Sequence, residues 1–132
     1  TLAMEYDVLV DDMLLMPIFA LINEEGYRVF TSVDQDPDWR GRPRPRGRFT
    51  STVHVPGNLL AEGMLFVNCA MVTLDSREPQ FKERSAVAFQ VIDSMDGDSA
   101  RGDWPRKFPG IVRPMLEWTT QFHPEMRGDL PN

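Results

Sequence analysis

The chain has 132 residues, enough for one hydrophobic core and too few for two. A hydrophobic share of 42% and a charged share of 26% exclude a largely disordered chain, and a net charge of -6 sets nucleic acid aside as a partner. The single cysteine, Cys69, excludes an intramolecular disulfide and a paired-cysteine zinc site; with no N-x-[ST] sequon, this suits a reducing cytoplasm.

About seven short strands are predicted, with almost no helix. Met4, Tyr6, Val8 and Val10 alternate with polar residues, the spacing of a strand with one buried face. Leu14 to Ile22 is apolar on both faces, and Pro17 places that strand at an edge or a bulge. The longest apolar run, Met13 to Ile22, is far shorter than a membrane span, and the N-terminus lacks a basic region before a cleavage site. Membrane association is therefore expected only through a partner. Asn23-Glu24-Glu25-Gly26 reads as a turn and Tyr27 to Val33 as the returning hairpin arm. From Asp34 to Gly47 the pattern stops in a long loop rich in Pro, Asp and Arg.

Alternation resumes with Phe49, Ser51, Val53 and Val55 and ends at Pro56-Gly57. Asn58 to Glu62 is predicted as one helical turn capped by Asn58. Met64 to Leu74 is the longest predicted strand, with Met64, Phe66, Ala70, Val72 and Leu74 on one face and Leu65, Val67, Cys69 and Met71 on the other. Asp75 to Arg84 reads as a charged loop, Val87, Phe89 and Val91 as a strand, and Asp93 to Pro109 as a polar loop. Gly110 to Trp118 is predicted as the last strand, edge or bent because of Pro114. Residues 123–132 read as a flexible tail behind a folded unit over 1–122. The pattern as a whole predicts an all-β fold, an antiparallel β-sandwich of immunoglobulin or jelly-roll type.

No motif for nucleotide binding, serine hydrolysis or zinc proteolysis is present, and Lys occurs only at Lys82 and Lys107. His54 lies on the polar face of its strand and His123 in the tail, too few histidines for a cupin-like metal set. Asp34, Asp36 and Asp38 resemble the start of a calcium loop, but Trp39 stands at the sixth position and Pro45 at the twelfth. Asp93, Asp96 and Asp98 around Gly97 are a weaker echo. Solvated turns are expected at both, with no metal and no cofactor.

From Trp39 to Arg48, Arg alternates with Gly or Pro, so the stretch is expected to be extended and solvated. It reads either as a soluble loop offsetting nearby acidic surface or as a clamp for an anionic group; the first is preferred. Phe19, Phe49, Phe66 and Phe89 are in strand phase with aliphatics and are expected in the core. Tyr27, Trp39 and Trp104 sit in or beside loops, where exposed aromatics make platforms for the apolar face of a sugar ring.

Gly47-Arg48-Phe49, the strand to Val55 and the block Pro56-Gly57-Asn58-Leu59-Leu60-Ala61-Glu62-Gly63 resemble the C-terminal domain of the ATP-binding subunit of O-antigen polysaccharide ABC exporters (Wzt-type). Three further pieces agree in order: Asn23 to Gly26 with Val29 to Ser32, Val87 to Asp93, and Arg101-Gly102 with Gly110 to Pro114 and Trp118. The resemblance covers about Tyr6 to Trp118. It implies a non-catalytic carbohydrate-binding β-sandwich that recognises the end of a lipid-linked glycan in the cytoplasm, beside the inner membrane. The implied partners are an ABC-transporter ATPase domain, a membrane permease and a second copy that exchanges its final strand. Polar side chains in strand phase, Thr50, Thr52, His54, Asn68, Thr73 and Gln90, would supply hydrogen-bonding arms on a solvent face. With the loop residues, the candidate glycan-binding set is Trp39, Arg40, Thr52, His54, Asn68, Gln90 and Trp104. Two rival readings stand beside this one: a small sugar-modifying β-fold enzyme using carboxylates, and a purely structural dimerisation domain.

Overall fold

The computed structural model describes residues 1–75, 79–93 and 99–124. Among them are six strands: β1 (Leu2–Val8), β2 (Leu15–Asn23), β3 (Arg28–Val33), β4 (Gly47–Val53), β5 (Gly63–Thr73) and β6 (Pro79–Val91). They form two antiparallel sheets, β1-β4 and β3-β2-β5-β6. The described residues contain no α-helix, and no helix long and apolar enough to cross a membrane. The expected antiparallel β-sandwich is the fold observed.

The alternation in β1 does what it predicts. Met4 and Val8 are buried and Tyr6 is half-buried, while Ala3, Glu5 and Asp7 are exposed. The strand ends before Val10, which is exposed, and the chain turns through Asp12 at φ 63°. Asn23 builds the β2–β3 turn. Its side-chain carbonyl accepts the N–H groups of Glu25 (3.1 Å) and Tyr27 (2.8 Å), and Gly26 takes φ 85°, a conformation that favours glycine.

Leu21 and Val67 are completely buried on the inner faces of β2 and β5. Each is worth about 1.5–3 kcal/mol relative to exposure. Leu60 and Leu65 join them, with Phe19, Phe30 and Phe89 packed around. A second cluster of Met4, Val8, Leu15 and Met71 ties the small sheet to the large one, and Phe19 touches both clusters. Phe66 does not join these clusters; it is half-buried and alternates with the inward Leu65 and Val67.

Several expectations are corrected. Pro17 lies in an interior strand, not at an edge or a bulge. Its carbonyl accepts the Asp34 N–H at 2.9 Å on the β3 side, just past the last β2–β3 register pair, Ile18 with Val33. The donor that proline lacks is thus missing only where β3 already ends. The expected loop from Asp75 to Arg84 is strand from Pro79 onward, because β6 is an edge strand, exposed along most of its length, and tolerates Lys82, Glu83 and Arg84. A bulge at Asn68 and Ser85 breaks the register; Ser85 has φ 51° and donates its N–H to the Asn68 side-chain oxygen at 2.9 Å. Asn58 caps no helical turn. Its φ of 62° is left-handed, and the segment beyond it is extended, with the Ala61 N–H on the Ile111 carbonyl at 3.0 Å.

Gly110 to Trp118 is not a strand: its β-pairing among the described residues is one bridge, Leu60 with Val112. An apolar pattern shows which residues fit a strand, but not whether a partner strand lies beside them. The weak aspartate echo at Asp96, Gly97 and Asp98, and the tail from 125 to 132, lie outside the described residues.

Candidate functional site

The two sheets do not close against each other on every side. Between the outer edge of β3 and the outer edge of β4 lies a cleft of about 480 Å³, within the ~300–1,000 Å³ usual for small-ligand sites. Pro17, Phe19, Phe49 and Trp39 form its apolar wall, and Ser32, Asp34, Asp36, Arg44, Ser51 and Thr52 its polar part.

Each polar group has a local cause. Asp34 directly follows β3, and its carboxylate accepts the Asp36 N–H at 2.9 Å. Asp36 repeats the arrangement with the Asp38 N–H at 2.9 Å, and its carbonyl accepts the N–H groups of Trp39 and Arg40 at 3.0 and 2.8 Å. The Asp-x-Asp-x-Asp run therefore builds two successive side-chain turns that aim Trp39 at the sandwich. Among the described residues no group of acidic, His or Cys side chains is placed to hold a metal ion.

Arg44 is the centre of the site. It belongs to the stretch expected to be solvated, yet only 3% of it is exposed. Its backbone bridges to Met13, its N–H donating to the Met13 carbonyl at 2.7 Å. One guanidinium nitrogen donates to the Asp34 carboxylate at 3.0 Å and another to the Tyr6 hydroxyl. Ser51 lies 3.0 Å from that hydroxyl and 3.3 Å from the same carboxylate. Burial pushes the Asp34 carboxyl up, but the Asp36 N–H, Arg44 and Ser51 outweigh it and hold the group below its ordinary value. Phe49 links the node to the apolar wall, stacked on Tyr6 at 5.8 Å and edge-on to Trp39 at 5.2 Å.

Two other arginines of the stretch differ in where they go. Arg48 pairs with Asp7 at 2.8 Å and Glu5 at 3.5 Å on the exposed face of the small sheet. The Arg48 hydrogen bond, chiefly, lowers the Asp7 pKa. Arg42 donates to the Asp38 carbonyl at 2.9 Å and stands 5.8 Å from the Trp39 ring centre. Arg44 stands at the same distance from that ring, so Arg42 and Arg44 both flank Trp39 while Arg48 lies on the exposed face of the small sheet.

Of the candidate residues, the cleft brings together Trp39 and Thr52. Arg40 is exposed on the turn beside it. His54 is exposed just past β4. Asn68 and Gln90 lie on the outer face of the large sheet, alternating with inward Val67 and Phe89. Trp104 is 50% exposed in the 99–113 segment, its indole N–H on the Lys107 carbonyl at 3.2 Å. Thr73, expected on a solvent face, is buried at 6%. The sequence reading missed Tyr6, Asp34, Arg44 and Ser51 as a group. A signal existed for two of them: Tyr6 and Ser51 are polar residues in the inward phase of β1 and β4, where a hydroxyl needs a partner.

Fold and cleft together define an open, two-layer antiparallel β-sandwich with a side-chain-lined groove between its sheets. No family model and no curated protein matches the chain. Among solved structures it is similar to the C-terminal domain of wzt, with a TM-score of 0.64 and 13% identity over 90% of this chain and 68% of that one. The likeness establishes a shared fold.

Proposed function

We propose that the chain is a non-catalytic carbohydrate-binding module, recognising the terminus of a lipid-linked O-antigen or similar cell-surface polysaccharide for export by an ABC transporter. Three things support this. Four sequence blocks resemble the carbohydrate-binding domain of such exporters in the same order, and the fold is shared with the C-terminal domain of wzt. The observation that carries the reading is the groove itself, an aromatic wall facing a cluster of hydrogen-bonding side chains, which is the chemistry a pyranose needs. In this reading residues 1–122 are the binding unit. Its partners are the transporter's ATPase domain and permease, and it works in the cytoplasm at the inner membrane.

A homodimer belongs to the same proposal. Met115, Leu116, Trp118 and Phe122 are 56–86% exposed on an extended segment without a strand partner among the described residues, a form of surface that a second copy covers.

Calorimetry with oligosaccharides cut from the producing organism's own surface polysaccharide tests the function. Saturable heat without product formation supports it. Silence across that panel, or turnover by the isolated chain, overturns it. Light scattering that shows only monomers removes the dimer.

A further inference from the structure

Building on the glycan-binding reading, we propose that the site extends to a second cleft near the other end of β3, which holds the sugar units behind the terminal one. This second cleft measures about 440 Å³, close to the first. The β2–β3 turn, the start of β5 and the 107–113 segment form its walls. β3 has a residue in both clefts: Val29 lines the second and Ser32 the first. Three residues of strand cover about 10 Å, a gap that a short oligosaccharide bridges and a single sugar does not.

Each wall has a local cause. The Glu24 carboxylate accepts the Met64 N–H at 2.8 Å and so ties the turn to β5. Gly63, at φ 132°, has no side chain to push that carboxylate away. On the other wall, Arg113 donates to the Phe108 carbonyl at 3.0 Å, and its guanidinium lies 5.1 Å from the Phe108 ring centre. The first cleft has the same pairing of a buried arginine with an aromatic ring, Arg44 standing 5.8 Å from Trp39.

The groups left over suit hydroxyls. The Asn23 amide spends its oxygen on the turn, and its NH2 has no partner among the described residues. The Glu25 carboxylate and the Lys107 ammonium are exposed on the two walls; the first accepts hydrogen bonds and the second donates them. Phe108 and Ile111 supply apolar surface for the C–H face of a ring. Donor, acceptor and apolar wall thus recur in a cleft built from different elements, and two such clefts along one strand fit successive units of one chain.

The test is an NMR titration of the full chain with a ladder of mono- to hexasaccharides released from the producing organism's surface polysaccharide. Affinity should rise about ten-fold or more between the monosaccharide and the tetrasaccharide and then level off. The tetrasaccharide should move the Lys107 and Phe108 amides, which the monosaccharide leaves in place. The double variant Glu25→Ala, Lys107→Ala changes two exposed positions. It should lose most of the gain with length and keep the monosaccharide affinity, while its amide dispersion shows an intact fold. Affinity that does not change with length overturns the inference. So does a double variant that loses nothing, or one that weakens mono- and tetrasaccharide alike, although glycan binding itself then stands. If no member of the ladder moves any resonance, the inference and the reading beneath it fall together.

Discussion

Two clusters of arginine and carboxylate side chains sit at opposite ends of β5, and they hold different things together. Near Thr73, Arg44 joins the two sheets, using one carboxylate, one phenol and a backbone bridge. Near Gly63, Arg101 and Arg113 fasten the 99–113 segment to the large sheet. Arg101 bonds Asp93 at 2.7 Å and Glu62 at 2.9 Å, and Arg113 reaches the same two carboxylates at 3.4 and 3.5 Å. That second cluster is a closed structural staple: two cations against two anions, with Arg101 and Arg113 each 6% exposed. The first sits beside an open groove and includes fewer charges. One cluster secures a loop, and the other lines an open groove.

Asp93 carries the largest expected effect, since it faces both buried arginines. Asp93→Ala leaves two buried guanidiniums without their main counter-charge, and a loss of about 3–5 kcal/mol is expected. Urea unfolding measures it, and a loss below about 1 kcal/mol would show that the staple is dispensable.

Arg44→Met keeps the aliphatic stem and deletes the charge. Asp34 retains partial access to water, with its side chain 16% exposed, so a smaller loss of about 2–3 kcal/mol is expected. The same variant should weaken sugar binding through displaced Asp34 and Tyr6, whereas Asp93→Ala displaces neither and is read in stability.

Acid separates the nodes further. The folded Asp34 carboxyl lies below its ordinary value of 3.8, so its stabilisation is complete above that value and is lost as pH falls through the lower folded one. Unfolding free energy should therefore decline between pH 5 and 3 more steeply in the parent chain than in Asp34→Asn. Equal slopes would remove Asp34 from the account.

Arg48 sets the lower bound. It belongs to the same Arg-Gly-Pro stretch as Arg44, but its pair with Asp7 is open to water. Arg48→Ala should leave the urea midpoint unchanged within error, and a fall in that midpoint well outside error would show that the exposed pair contributes to stability.

Much of the fold was legible because inward and outward residues alternate with period two. β1, β4 and β5 could be read from Met4, Tyr6 and Val8, from Phe49, Ser51 and Val53, and from Leu65, Val67 and Met71. The Asn23 to Gly26 turn was legible because its chemistry is local: an Asn side chain and a glycine at positive φ. β6 was half-hidden because an edge strand exposed on both faces needs no alternation. Gly110 to Trp118 was misread because strand pairing is a property of two segments, and its own sequence describes one.

The site was less legible, for a related reason. Trp39 and Thr52 carried recognisable signals, an aromatic beside a turn and a polar residue in strand phase. The other candidates carried the same signals and ended on other surfaces, since phase assigns a face within a strand but does not bring strands together.

What the sequence determined alone was what each segment is suited to. Apolar period, turn residues and charge set an all-β sandwich with an anionic surface, because those preferences act over a few residues. That Arg44, among five alternating arginines, is the one that turns inward follows from contacts between distant segments. That choice depends on Tyr6 and Asp34, 38 and 10 residues away along the chain, meeting at the seam between two sheets. A buried charge is stable only where its partners are already held, and no local pattern records where that is.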